Sequence, residues 1–173
     1  SFSVSSLLLY HRYSYRFCYA DSGTDTVTNT VTKTTLFSAT IPGGTLGTSN
    51  AVKFKAYIDN VDMIANNGDI TFELAYGGAN TSFAIPSPTA TQTNITGWVE
   101  GMVVADGATD AQEMSLWLTF NGAGAILSTS SATTNELFAI GSVSGTGTED
   151  STGDLALALK VTWGTASATN TIT

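Results

Sequence analysis

The chain has 173 residues, of which 42% are hydrophobic and only 12% are charged, and its formal net charge is −8. This length suits a single domain with its own core, and an acidic chain repels nucleic-acid phosphates and anionic lipid surfaces. Threonine, serine and glycine fill much of the remaining composition, and threonine favours strands over helices. We therefore expect an all-β protein that binds neither nucleic acid nor membrane.

The first twenty residues show the alternation of a strand. The aromatic members are Tyr13, Tyr15, Phe17 and Tyr19. Arg12 and Arg16 lie between them and give this segment a formal charge of +2, against −10 for the rest of the chain. We predict an extended N-terminal arm at residues 1–20 that contacts a neighbouring subunit, because extended segments pair with exposed sheet edges. A strand that completes its own domain's sheet, or a disordered segment, is the alternative.

Residues 21–34 form a polar, Thr-rich connector, and residues 35–173 are predicted to form one sandwich. Apolar and polar residues alternate there with the period of a strand, between turn signals. The predicted strands are Leu36–Ile41, Ala51–Asn60, Asp69–Tyr76, Thr81–Ile85, Ile95–Ala105, Met114–Phe120, Glu136–Ser142, Leu155–Trp163 and a last strand from Ala168. The eight strands with both ends defined, followed by the start of the last one, predict a jelly-roll-like antiparallel β-sandwich of about eight strands.

The alternation also predicts which side chains face the core. The predicted core residues are Phe54, Phe72, Leu116, Leu118, Leu157 and Leu159, and the predicted exposed residues are Lys53, Lys55, Glu73 and Lys160. Trp98 and Trp163 are expected to pack in the core or against a sheet. Trp117 alternates with apolar residues, so we expect it on the surface, as a contact with another subunit or a ligand platform.

Residues suited to catalysis are sparse. The single histidine, His11, lies on the arm, and the lone Cys18 has no partner for a disulfide or a metal site. Glu73 and Glu100 fall on predicted strands, and two carboxylates can hydrolyse a glycoside, but both are expected to face solvent. We predict a protein that is not an enzyme and uses no cofactor.

Two acidic segments are weak candidates for calcium binding. Their carboxylates belong to Asp106, Asp110, Glu149, Asp150 and Asp154. Calcium takes six to eight oxygen ligands, whereas each segment offers two or three carboxylates without EF-hand spacing. Because aspartate also serves turns by accepting hydrogen bonds from its own backbone, we favour solvated turns over a metal site.

The run Thr35–Thr48 reads TLFSATIPGGTLGT, and it is followed by the turn Tyr76-Gly77-Gly78, a tryptophan-bearing strand and the acidic segment Glu149–Asp154. This sequence pattern resembles that of the jelly-roll modules of tailed-phage virion proteins, which occur in fibres and head decorations. The resemblance covers the chain from about Leu36 onward. It implies a structural role in assembly and attachment.

We therefore predict a non-enzymatic structural subunit of a virion, a decoration or fibre module, that self-assembles through its sandwich and its arm. Its expected partners are copies of itself and other virion subunits, and its expected location is the virion or the extracellular space. One alternative is a subunit of a microbial extracellular filament polymerised by strand donation. Another is a carbohydrate-binding or adhesion domain that recognises host-surface glycans.

Overall fold

The computed structural model describes residues 26–123 and 135–173. These ranges contain ten strands: β1 Val27–Thr28, β2 Thr34–Ile41, β3 Ala51–Met63, β4 Ile70–Tyr76, β5 Ala79–Ile85, β6 Gln92–Ala105, β7 Gln112–Ala123, β8 Asn135–Gly147, β9 Leu155–Trp163 and β10 Thr171–Ile172. No helix in these ranges has the length and hydrophobicity needed to cross a bilayer. The predicted all-β class is confirmed.

The strands form two antiparallel sheets that pack face to face. The larger sheet has the order β1-β10-β3-β6-β7-β8, and the smaller has the order β2-β9-β4-β5. Aromatic rings meet across the interface between the sheets, since the ring centroids of Phe72 on β4 and Phe120 on β7 are 5.5 Å apart. The predicted β-sandwich is therefore confirmed.

Strand pairing follows a nested order along the chain. β1 pairs with β10, β2 with β9, β3 with β6 and β4 with β5. The hairpin of β7 and β8 extends the larger sheet beyond β6. The segment that begins at Ala168 supplies β10, which pairs on both sides with β1 and β3 instead of forming an edge. Val27, inside the predicted connector, belongs to β1 and is buried.

The core follows the predicted alternation closely. Five predicted core residues are buried: Phe72, Leu116, Leu118, Leu157 and Leu159. Phe54 is only partly buried, and its ring lies where a Cβ at Gly101 would be. Lys53 and Lys55 are exposed as predicted, and Trp163 is buried. A glycine on the opposite strand thus makes room for an aromatic ring of the core.

Glycines on β8 bring the edges of the two sheets together. Gly141 and Gly145 face inward on β8, opposite the buried Leu118 and Met114 of β7. A Cβ at Gly141 would overlap the ring of Phe83 on β5 of the other sheet. Because these positions carry no side chain, the sandwich can close where β5 and β8 approach each other.

The prediction that Glu73 faces solvent is wrong. Glu73 does point to the outer side of the smaller sheet, but it is buried, with only 7% of its surface exposed. Lys33, which precedes β2, forms an ion pair with its carboxylate, and Lys160 on the paired strand β9 lies 3.8 Å from it. Lys160 itself is half-buried, with a side-chain exposure of 30%. Alternation alone cannot show that Lys33 reaches Glu73.

Candidate functional site

Exposed aromatic side chains are grouped on the outer face of the larger sheet. Among the large hydrophobic side chains described, only four are exposed, and three of them lie on this face: Tyr57, Trp98 and Trp117. Strand register places them together, because Tyr57 pairs with Trp98, and Glu100 pairs with Trp117. We call the surface formed by Tyr57, Trp98, Trp117, Lys53, Lys55 and Glu100 the aromatic face.

Tyr57 and Trp98 form a cross-strand aromatic pair at the centre of this face. Their ring centroids are 4.7 Å apart and the ring planes are inclined by 54°. The ammonium nitrogen of Lys55 lies 4.3 Å from the centroid of the Trp98 ring. This distance suits a cation–π interaction, which fixes the indole and holds the lysine stem across the surface.

Glu100 links two lysines beside the tryptophans. Its carboxylate lies 2.7 Å from Lys53 Nζ and 3.1 Å from Lys55 Nζ. The hydrogen bond from Lys53, together with that from Lys55, lowers the pKa of Glu100 below its ordinary value. The carboxylate therefore stays ionised at neutral pH, and the face keeps both signs of charge in contact.

The structure confirms one predicted tryptophan position on this face and corrects another. Trp117 is exposed, as the alternation on β7 predicts. Trp98 was predicted to pack in the core or against a sheet, and the core alternative is wrong, because 44% of its surface is exposed. Val99 occupies the inward position beside it and is fully buried. Trp98 follows Gly97, and the inward glycines Gly97 and Gly101 weaken the apolar signal of that side of β6.

Tyr57 and the cation–π contact were not identified as features of a site from the sequence. Tyr57 shares its side of β3 with Lys53 and Lys55, so its exposure follows from the alternation. The alternation does not show which residue lies beside Tyr57 on the neighbouring strand, because that depends on the register between β3 and β6. Pairing of two strands, and not either strand alone, creates the aromatic face.

The predicted assembly arm lies outside the described residues. Its members are Arg12, Tyr13, Tyr15, Arg16, Phe17 and Tyr19. Their proposed contact with a neighbouring subunit stays a prediction.

The calcium candidates lie at one end of the sandwich, where Asp150 and Asp154 accept hydrogen bonds within turns. Asp150 accepts hydrogen bonds from the hydroxyl and the backbone nitrogen of Thr152, and the hydroxyl, followed by the backbone nitrogen, lowers the pKa of Asp150. Asp154 accepts a hydrogen bond from the backbone nitrogen of Gly43, at 2.8 Å. Within residues 26–123 and 135–173, no three or more carboxylate, histidine or cysteine side chains are grouped as a metal site would require.

The same end of the sandwich joins the sequence segments that carried the phage resemblance. Gly44 donates a backbone hydrogen bond to the carbonyl of Ser151, and Ser151 donates both its backbone and hydroxyl hydrogens to the carbonyl of Thr109. A Cβ at Gly43 would overlap the carbonyl oxygen of Thr152. The Pro-Gly-Gly turn and the acidic segment therefore form one packed end of the domain.

The chain was compared with protein-family models, with curated proteins and with solved structures. None of the three comparisons gave a match.

Proposed function

We propose that this protein is a non-enzymatic structural subunit of a virion, which assembles with copies of itself. The observation that carries the proposal is the grouping of Tyr57, Trp98 and Trp117 on one outer sheet face. Exposed aromatic side chains that are grouped together on one face mark interaction surfaces. A decoration or fibre module needs such a surface, whereas an enzyme needs a concave site with catalytic groups.

The winding of the chain supports the jelly-roll part of this proposal. In the nested pairing, strands near the two ends of the chain pair with each other, and strands near its middle pair with each other. We infer that this nesting is the double Greek key of a jelly roll. Capsid and lectin domains share this architecture. In this interpretation, β7 and β8 are a hairpin added between the sixth and seventh strands of the roll.

The arm at residues 1–20 is the second assembly element that we propose. Strand β8 spans 13 residues and stands at the end of the larger sheet, where its pairing in the described part of the chain is with β7 alone. An extended segment of a neighbour can add to such an edge through backbone hydrogen bonds. The arm's Arg12 and Arg16 suit an acidic partner, and the remainder of this chain is acidic.

The proposal can be tested by measuring the mass of the full chain and of a variant lacking residues 1–20. Sedimentation velocity at micromolar concentration gives both masses, and circular dichroism shows whether the sandwich remains folded. We expect the full chain to form a defined oligomer or array, and the shortened chain to fold and assemble less. A full chain that stays monomeric throughout the concentration range would contradict the proposal.

Saccharide binding is a second candidate function, and exposed indoles favour it. The faces of tryptophan rings pack against the C–H groups of sugar rings, and Trp98 and Trp117 are both exposed. A glycan array probed with the full chain tests this candidate. Electron microscopy of assembled material distinguishes the remaining alternative, because a filament subunit forms bare fibres instead of particles.

A further inference from the structure

We propose that the aromatic face, made of Tyr57, Trp98, Trp117, Lys53, Lys55 and Glu100, is the surface through which two copies of this chain bind each other. The inference rests on the proposed assembly function and names the surface and the partner. The arm is not required for this contact.

The flat shape of the face suits a protein partner. Its three aromatic side chains come from the adjacent strands β3, β6 and β7, which at about 4.8 Å per strand spreads them over roughly 10 Å. They lie on the outside of a sheet and not in a cleft, whereas sites for small ligands are concave. Tryptophan and tyrosine are also the residues that contribute most to protein–protein binding.

The charges of the face are complementary to themselves, as a contact between identical surfaces requires. Lys53 and Lys55 flank Glu100, so the group has a formal charge of +1 with both signs present. A two-fold axis that runs parallel to the strands between β3 and β6 places Lys55 of each copy against Glu100 of the other, because these two residues are paired in register. It also places Tyr57 of each copy against Trp98 of the other.

The charge of the rest of the chain favours this face over most other surfaces. The net charge is −8 in total, so the residues outside the group of Lys53, Lys55 and Glu100 carry −9. Two copies that approach through most other surfaces bring larger like charges together than the +1 of this group, which opposes association more strongly. The outer face of the smaller sheet has a similar lysine–glutamate group, but its Glu73 is buried and its neighbours Ala75 and Ala158 offer no large side chain.

A saccharide fits the face less well than a second copy does. Stacking of a sugar ring requires a free face of an indole, and Lys55 Nζ stands 4.3 Å from the centre of the Trp98 ring while Tyr57 packs against the same indole. A sugar at Trp98 must displace the lysine from both the ring and Glu100. A protein partner leaves this arrangement in place and packs over it.

The test uses the full chain with Trp98→Ser and Trp117→Ser, each alone and together. The matched control is Thr40→Ala with Ala84→Ser, at two exposed positions on the outer face of the smaller sheet. We expect each tryptophan variant to weaken self-association at least about 30-fold, the effect of a hot-spot residue, while the control assembles as the wild type. Circular dichroism and thermal unfolding show that each variant is folded.

A charge exchange identifies the partner as a second copy. Glu100→Lys gives the group three positive charges, and Lys53→Glu with Lys55→Glu gives it three negative charges. We expect each variant to self-associate weakly and the mixture of the two to form a one-to-one complex.

Unchanged oligomers in every variant overturn this inference but leave the proposed assembly function standing, since the arm then carries the contact. A monomeric wild type overturns both, and saccharide binding by that monomer, lost in Trp117→Ser, assigns the face to glycans.

Discussion

The outer faces of the two sheets carry the same charge arrangement in opposite surroundings. On the larger sheet, Glu100 lies between Lys53 and Lys55 beside exposed aromatic rings, and 28% of its side chain is exposed. On the smaller sheet, Glu73 lies between Lys33 and Lys160, and only 9% of its side chain is exposed. Removing a buried ionic partner costs far more free energy than removing an exposed one. The subunit is therefore sensitive to the loss of one member of the buried group, whereas the exposed group is available to a partner.

The largest expected effect contrasts two neighbours on β7 that point in opposite directions. Leu118 is buried in the core, so we expect Leu118→Ala to lower the free energy of unfolding by about 2–5 kcal/mol. Trp117 faces outward, and Trp117→Ala should cost only about 1 kcal/mol, although the side chain is larger. Urea unfolding of both variants measures the difference, under conditions where the protein is dissociated. Equal losses would mean that Trp117 belongs to the core and not to a contact surface.

A second prediction concerns the buried carboxylate. Glu73→Ala leaves Lys33 and Lys160 without their anion, and we expect it to lower the free energy of unfolding by about 2–3 kcal/mol. The matched variant Glu100→Ala should cost less than half as much. Denaturant unfolding of the two variants gives the comparison directly. Similar losses at both positions would show that burial does not separate the two faces.

A third prediction concerns the end of the sandwich, which belongs to neither face. Gly43→Ala should lower the free energy of unfolding by about 1–3 kcal/mol, because the new Cβ overlaps the backbone carbonyl of Thr152. The control is Gly153→Ala in the acidic segment, where a Cβ meets nothing within 4 Å. Thermal unfolding of both variants checks the prediction, and a stable Gly43→Ala variant would show that this end is loosely packed.

The smallest expected effect is the pH dependence of Glu100. Its pKa is lowered in the folded protein, first by the hydrogen bond from Lys53. The free energy of unfolding that ionised Glu100 contributes is therefore present above the pKa of this group in the unfolded chain. It is lost as the pH falls through the pKa of the group in the folded protein. Because the group is exposed, this contribution is at most about 1 kcal/mol. Unfolding of wild type and Glu100→Gln should differ at neutral pH and converge in acid, and a constant difference would contradict the assignment.

The sequence predicted most strands and much of the core because alternation is a local property. β9 and its buried Leu157 and Leu159 are examples, since one face of the strand is apolar throughout. The aromatic face could not be predicted, because Trp98 and Val99 are adjacent large apolar residues and alternation alone does not decide which faces inward. The ion pair of Lys33 with Glu73 could not be predicted either, since it joins residues 40 positions apart.

The nested pairing also has a consequence for how the chain folds. Val27 pairs with Ile172, so the first described strand finds its partner only at the far end of the sequence. Pairs between distant residues slow folding, because the entropy of closing a long loop is lost before the contact forms. On a ribosome, the adjacent strands β4 and β5 can pair early, whereas β1 must wait for β10 to emerge. We therefore expect folding to proceed from the inner hairpins outward, with the pairing of β1 and β10 as its final step.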